Sequence, residues 1–450
     1  MSPLDLQLDR ISKTHSQICI IGLGQVGLPT ALTFSHAGFS VVGVDINENI
    51  VNSLNSKKPY FVESGIEELL VNCIDKKLFK ASTNFVESVS KSDIVIVCVA
   101  TPITNDVKPN LQFLETVCLS LSKLDLKSKL IIIESSIPPG TFNNLVLPII
   151  NTNNNNFWTA FVPERLSPGS GLYEIQSTSR VIGTLDNDSK LLTEKLYDKI
   201  TSGKIITTTV SIAEISKLVE NTFRDVNIAL ANEISKICEI YEIDIQELLK
   251  VCNSHPRVNL LQPGPGVGGP CLPKDPYLLL NPQGNKPISS ELISNSRKIN
   301  DGMPKHVANI VYDSLNKQNK IPSNSSVLIL GVAYKNNVSD SRFSPAEPLI
   351  NELQQNGLSV FVHDPFSSER FGAKNIDSIW DVLNIIDVIV VITDHDDFKK
   401  FSLAKIKEKM KSIPIIIDTR RIFDKDECES LGIEYLSLGY KKSFKEGSNL

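Results

Sequence analysis

The stretch that most limits what this chain can fold into is Gly22-Leu23-Gly24-Gln25-Val26-Gly27. It closes the short apolar run Gln17–Leu23 (QICIIGL), which reads as a buried strand, and it opens a stretch of helical character. A second apolar run, Ser40–Asp45 (SVVGVD), ends in an acid eighteen positions after Gly27. Strand, glycine turn, helix, strand and terminal acid together make a βαβ unit built around an anion. The first glycines let the backbone turn tightly and approach a ligand closely. The helix N-terminus then faces the ligand with unpaired N–H groups, which suits a pyrophosphate. Asp45 would accept hydrogen bonds from ribose hydroxyls and repel a 2′-phosphate, so the expected cofactor is NAD rather than NADP.

Further apolar runs follow at Ser92–Ala100, Lys129–Glu134 and Phe157–Val162. Strands alternating with helical segments imply a parallel sheet covered by helices on both faces. Thr101 and Ser136 follow two of these strands, where open α/β sheets bind ligands. From Ile212 to Ile243 the pattern changes. Ile212, Ile215, Leu218 and Val219 recur at helical spacing, as do Phe223, Val226 and Leu230, with no Pro or Gly between, so one long helix is expected. The runs Val327–Gly331, Leu358–Val362, Asp387–Ile392 and Pro414–Asp418 then form a second α/β unit. The fold class is α/β: two lobes joined by a helical connector. The polar patch Asn151–Asn156 (NTNNNN) reads as a solvent-exposed loop.

Composition narrows the function. The chain has 450 residues, 46 Lys and Arg against 51 Asp and Glu, and hence a net charge of -5. It lacks the basic excess of a protein whose main partner is nucleic acid. No apolar run approaches the ~18 residues of a membrane span. The N-terminal segment has no apolar core of a secretory signal, so a cytoplasmic protein is expected. The eight cysteines are scattered without a C-x-x-C pair, so neither a disulfide framework nor a metal site is expected.

Three elements could carry chemistry. Pro163-Glu164-Arg165 ends a strand, and Glu164 there is either a base or half of a surface ion pair. Lys217, Asn221 and Arg224 lie at i, i+4 and i+7 on one helix face, a row suited to an oxyanion and a phosphate, or simply a solvated polar face. Five prolines and four glycines occupy the fourteen residues Pro263–Pro276, a constrained loop that presents Cys271 just before Lys274 and Asp275. Cys271 is either a buried structural thiol or a nucleophile whose thiolate a nearby cation favours. NAD with a nucleophilic thiol can oxidise an alcohol past the aldehyde, through a thiohemiacetal and a thioester, to an acid.

The motifs IGLGQVGLP, ESSIPPGT, PERLSPG, AEISKLVENTFRDVNIALANE, HPRVNLLQPGPGVGGPCLPKDPY and GVAYKNNVSDSRFSPA together resemble the UDP-glucose/GDP-mannose dehydrogenase family, from Ile18 to about Arg421. The resemblance implies two Rossmann-type doubly wound lobes and a helical connector through which the chain forms a homodimer. It implies an NAD-binding domain over 1–207, a central dimerisation domain over 208–312 and a UDP-sugar domain over 313–450. It implies Cys271 as nucleophile, Lys217 as oxyanion stabiliser or proton shuttle with Asn221 beside it, Asp275 positioning water and Glu164 as the hydrolytic base. Gly22, Gly24, Gln25, Val26, Gly27, Asp45, Thr101 and Ser136 would contact NAD, with Lys274 and Arg342 on its phosphates. Arg165, Leu166, Arg224, Gly268, Tyr334, Lys335 and Arg420 would hold the nucleotide sugar, and His255 and Arg257 would reach a partner subunit's site. PER with HPRVNLLQPGPGVGG is most similar to members acting on UDP-N-acetyl-D-mannosamine. The loop GGPCLPKDP is closer to the UDP-glucose branch, which leaves UDP-N-acetylglucosamine and UDP-glucose as alternatives.

Overall fold

The computed structural model describes residues 2–440 except 105, 152–155, 167–168, 170 and 411–412. Most of the expected asparagine-rich loop and part of the PERLSPG motif therefore lie outside the described residues. The chain divides into two compact units, Met1–Asn221 with Lys274–Ser289, and Thr222–Pro273 with Ser290–Leu450.

The first unit is an eight-stranded sheet: β1 (Gln17–Ile21), β2 (Ser40–Val44), β3 (Phe79–Ser82), β4 (Ile94–Val97), β5 (Leu130–Ile133), β6 (Trp158–Phe161), β7 (Arg180–Thr184) and β8 (Ile205–Thr209). The order is β3-β2-β1-β4-β5-β6-β7-β8, the doubly wound arrangement with two strands added at one edge. Alternate residues of each strand serve opposite faces. Ile18 and Ile20 pack with Leu28 and Leu32 of the helix Gly27–His36, while Cys19 and Ile21 pack with Leu114 and Cys118 of the helix Gln112–Leu121. A strand covered on both faces must be apolar at every position, which is why these runs are continuous rather than alternating.

The second unit holds β9 (Ser326–Leu330), β10 (Ser359–His363), β11 (Lys374–Asn375), β12 (Val388–Val391), β13 (Ile415–Asp418) and β14 (Glu434–Leu436). All pairs are parallel, in the order β11-β10-β9-β12-β13-β14. Val327 and Ile329 face Leu349 and Leu353, and Leu328 and Leu330 face Ile379 and Leu383.

Two features depart from the pattern-based expectation. Strands β3, β7, β8, β11 and β14 carry no continuous apolar run, being short, mixed in polarity or at sheet edges, and so leave no such signal. In addition, β7 runs antiparallel to β6, with Ala160 opposite Thr184 and Phe161 opposite Gly183, so the first sheet is not wholly parallel.

The long helix spans Val210–Tyr241, 32 residues or about 48 Å at 1.5 Å per residue. It ends where Glu242 takes a left-handed φ of 55° and Ile243 N donates to Cys238 O at 3.1 Å. That is a Schellman closure made without glycine. Among the described residues no helix is long and apolar enough to cross a membrane.

Candidate active site

In the first unit the glycine turn has the geometry its sequence implies. Gly22 sits at φ 90°, and a Cβ on Gly27 would lie 1.8 Å from the Gly22 carbonyl oxygen, so the turn closes only with glycine at both positions. Space beside Gly24 is open, with no heavy atom within 4 Å of a Cβ built there. Asp45 binds the turn to the end of β2: Leu23 N donates to Oδ2 and Asn47 N to Oδ1, each at 2.9 Å. Tyr60 donates its hydroxyl to Leu23 O at 2.8 Å. Gln25 and Val26 lead half-buried into the helix Gly27–His36. An open cradle over a helix N-terminus, with a carboxylate at the next strand end, fits a dinucleotide.

Thr101, Ser136 and Lys274 come together beside it. Thr101 donates Oγ1 to Ser136 O at 2.5 Å, and Lys274 Nζ donates to Thr101 O at 3.1 Å and to its Oγ1 at 3.3 Å.

Glu164 is neither exposed nor alone. It is buried and ion-paired with the equally buried Arg180. The antiparallel register of β6 and β7, continued outward, places residue 164 opposite residue 180. This pairing replaces the surface ion pair considered from the sequence. Arg165 N donates to Glu164 Oε1 at 2.7 Å. The Arg165 guanidinium makes two bonds to Glu220 on the long helix, at 2.6 and 3.0 Å, and one to Ser179 O. Leu166 packs on the apolar core beneath.

Lys217 and Asn221 are buried, whereas Arg224 is exposed, so the expected row is split. Asn221 Nδ2 donates to Asp275 Oδ2 at 2.6 Å. The other Asp275 oxygen, Oδ1, is buried without a hydrogen-bond partner, although Lys274 Nζ lies 3.6 Å away. An orphaned buried carboxylate oxygen is a place for a water or a substrate donor.

The second unit carries the thiol. Cys271 is half-buried and not part of a disulfide. A Cβ on Gly269 (φ 89°) would lie 2.7 Å from the Tyr334 ring, and one on Gly268 2.8 Å from Tyr334 Cβ, so the two glycines let the tyrosine pack directly on the backbone. Gly269 N donates to Arg342 O at 2.9 Å. Arg342 grips Asp340 through Nε and Nη2, at 2.9 and 2.7 Å. That bond is the main reason its pKa is raised, and the neighbouring Tyr334 and Cys271 push it the same way. The thiol thus lies within electrostatic reach of the Arg342 guanidinium. Lys335 follows Tyr334 and is half-buried. Arg420 is fixed by a bond from Nε to Ile392 O at 2.8 Å and lines a cavity of about 470 Å³ with Asp394, Thr419, Gln246 and Gln262. The cavity opens at the carboxyl ends of β12 and β13, where this fold binds ligands. His255 and Arg257 are exposed.

Sequence reasoning places Glu134 with Ser135 and Ser136 at a strand end where ligands bind, without giving it a role, and misses Arg180, Glu220 and Tyr197. Glu134 left one signal, an acid ending the apolar run LIIIE, and Arg180 left another, a cation opening RVIG. Nothing local marks Glu220 or Tyr197.

Three family models cover most of the chain: the UDP-glucose/GDP-mannose dehydrogenase family's NAD binding domain over residues 16–201, its central domain over 211–302 and its UDP binding domain over 328–425. A UDP-N-acetyl-D-mannosamine dehydrogenase of Pyrococcus horikoshii is 38% identical over 90% of this chain and 96% of its own length. One from Methanocaldococcus jannaschii is 36% identical over 95% of this chain and 97% of its own. The solved structure of a UDP-D-ManNAc dehydrogenase from Pyrococcus horikoshii superposes with a TM-score of 0.86 at 35% identity, covering 94% of this chain and 99% of that one.

Proposed function

This chain belongs to the UDP-glucose/GDP-mannose dehydrogenase family and is an NAD-dependent UDP-sugar dehydrogenase, and on that premise we propose that it oxidises the C6 hydroxyl of UDP-N-acetyl-D-mannosamine to UDP-N-acetyl-D-mannosaminuronate. The observation that carries the sugar assignment is the 36–38% identity, over nine-tenths or more of the chain, to proteins named for that substrate. We assign 1–207 to NAD, 208–312 to the connector and 313–450 to the UDP-sugar.

Bound NAD supplies the hydride acceptor at each of the two oxidations. The Cys271 sulfur adds to the C6 aldehyde, forming a C–S bond and an oxyanion that Lys217, with Asn221 beside it, stabilises. After the second oxidation the carbon is held as a thioester. Asp275 binds the hydrolytic water through the oxygen that Asn221 leaves unpaired. Glu164 takes a proton from that water, the C–S bond breaks, and the uronate leaves. One alcohol, one water and two NAD⁺ become one carboxylate, two NADH and three protons. On the same reading Asp45 holds the cofactor ribose, Thr101, Ser136 and Lys274 lie along the cofactor, and Arg420 holds the nucleotide sugar.

The test is the number of NADH formed per sugar consumed, run in parallel on UDP-N-acetyl-D-mannosamine, UDP-N-acetylglucosamine and UDP-glucose. Two NADH per sugar, with the mannosamine compound having the highest kcat/KM, is the expected result. One NADH would mean the aldehyde escapes and would remove the role given to Cys271. Two NADH from a rival sugar alone would overturn the substrate and leave the chemistry.

We also assign a homodimer to the long helix. Ile212, Ile215, Val219, Phe223, Leu230 and Ile237 are exposed along it at spacings that keep them on one side. Phe223 is 66% exposed, which is unfavourable for a large aromatic left in water. Phe223→Glu is expected to weaken self-association by about 2 kcal/mol or more, roughly 30-fold in Kd. Sedimentation at micromolar concentration measures it, and an undiminished dimer would place the interface elsewhere.

A further inference from the structure

Behind Glu164 lies a buried polar cluster that the reaction above does not use. Glu134, at the end of β5, is 1% exposed. Its Oε1 accepts from Tyr197 Oη at 2.5 Å, and its Oε2 from Cys98 Sγ at 3.3 Å and Thr30 Oγ1 at 3.4 Å. Arg180 stacks over the Tyr197 ring, its guanidinium carbon 5.5 Å from the ring centre, and ion-pairs with Glu164. Tyr197 is fully buried. Among the described residues the charged groups facing Glu134 are Glu164 and Arg180, and the other titratable groups are Cys98 and Tyr197. With both carboxylates ionised, the cluster would hold two negative charges against one positive charge, away from water. Such a site keeps a proton instead.

We propose that Glu134 is a positioning residue for Glu164: it holds the one proton that two carboxylates sharing the Arg180 guanidinium retain, and its ionisation sets how readily Glu164 takes a proton from the hydrolytic water. This rests on the reading of Glu164 as the hydrolytic base. The direct ion pair with Arg180 belongs to Glu164, and Glu134 makes none, so Glu134 is the carboxyl on which the proton is placed. Burial, and then the Glu164 charge, push the Glu134 carboxyl up to about 7, against the opposing pull of Arg180 and of the Tyr197 and Cys98 bonds. When Glu134 ionises, a second negative charge faces Glu164 and strengthens it as a proton acceptor.

The experiment is a pH profile of kcat for uronate formation by the full-length enzyme, with NAD and the fastest of the three UDP-sugars. For the wild type a rise of about 3- to 10-fold is expected through a step near pH 7, following the dependence of general-base rates on basicity. Glu134→Gln carries no titrating group, so its profile is expected to stay flat through that range at the level the wild type shows on the acid side, with both KM values within about twofold. Tyr197→Phe removes a donor that favours ionised Glu134, so its step should move to higher pH, and it serves if Glu134→Gln does not fold. A profile for Glu134→Gln that keeps the wild-type step, or falls equally at every pH, would overturn the proposal; so would a Tyr197→Phe step that does not move. Unfolding free energy gives a second readout that does not depend on activity. A carboxyl raised on folding makes stability fall as pH rises from its unfolded value towards about 7. The slope should be present in the wild type and reduced in Glu134→Gln, and parallel slopes would overturn the proposal. Glu164→Gln separates the two readings. Hydrolysis surviving in Glu164→Gln removes the base, whereas hydrolysis lost there with an unaltered Glu134→Gln profile removes only Glu134's role.

Discussion

A Cys271→Ala enzyme is expected to lose uronate formation by about three orders of magnitude or more, the scale on which removing a covalent nucleophile acts. The loss should fall on kcat rather than on the binding of NAD, because the role given to the thiol is a covalent step on the sugar and not a contact with the cofactor. NAD affinity measured by titration should therefore stay within about twofold of the wild type. The fold should survive as well. Cys271 is only half-buried, and the Gly268-Gly269 backbone that carries it is held by Tyr334 packing and the bond from Gly269 N to Arg342 O, neither of which involves the thiol. A Cys271→Ala enzyme that still formed uronate at the wild-type rate would end the thiohemiacetal and thioester route.

The second large effect concerns stability. Arg180→Met should destabilise the first unit by about 3–5 kcal/mol, because it leaves Glu164 buried beside Glu134 without the cation both face. The methionine has nearly the length of the arginine stem, so the loss is mainly electrostatic. The pH dependence gives the sign. Glu134 is already raised to about 7, so below that pH it is neutral and the uncompensated charge is smaller. The destabilisation should therefore be least near pH 5 and greatest above pH 7, the window between an ordinary carboxylate and the raised one. Denaturant unfolding of wild type and variant at the two pH values checks this. Equal losses at both would mean the arginine acts through packing alone. Adding Glu164→Gln to Arg180→Met should restore part of the loss at high pH, since the stranded charge is then gone.

Much of the fold is legible in the amino-acid sequence. The runs at Ile18–Ile21, Ile94–Val97 and Val327–Leu330 are apolar at every position because both faces of each strand are covered. The helix expected over Ile212–Ile243 spans Val210–Tyr241, since 3.6-residue periodicity without a breaker leaves no alternative until the chain turns left-handed at Glu242. The glycine turn is legible for a different reason. Its requirement is steric and local, as the 1.8 Å approach of a Gly27 Cβ to the Gly22 carbonyl shows. Strands such as β8, with the sequence IITTT and a half-exposed face, are not legible, because a sheet edge need not be apolar.

The candidate site divides along the same line. Sequence alone marks Cys271, Lys217, Asn221, Asp275 and Glu164 as candidates, because each sits in a motif or at a spacing with chemical meaning. It does not say what each one touches. Glu164 meets Arg180 only because β7 reverses direction against β6. Asn221 meets Asp275 across 54 positions, and Tyr197 meets Glu134 across 63. Local pattern determines which apolar residues are buried, since their burial follows from periodicity and apolar area, but it does not show that Glu164, Lys217 or Asn221 is buried. The partner of a buried charge is chosen by strand direction, register and helix packing. These bring together groups far apart in the chain, and whether a carboxylate keeps its proton depends on the charges it then meets.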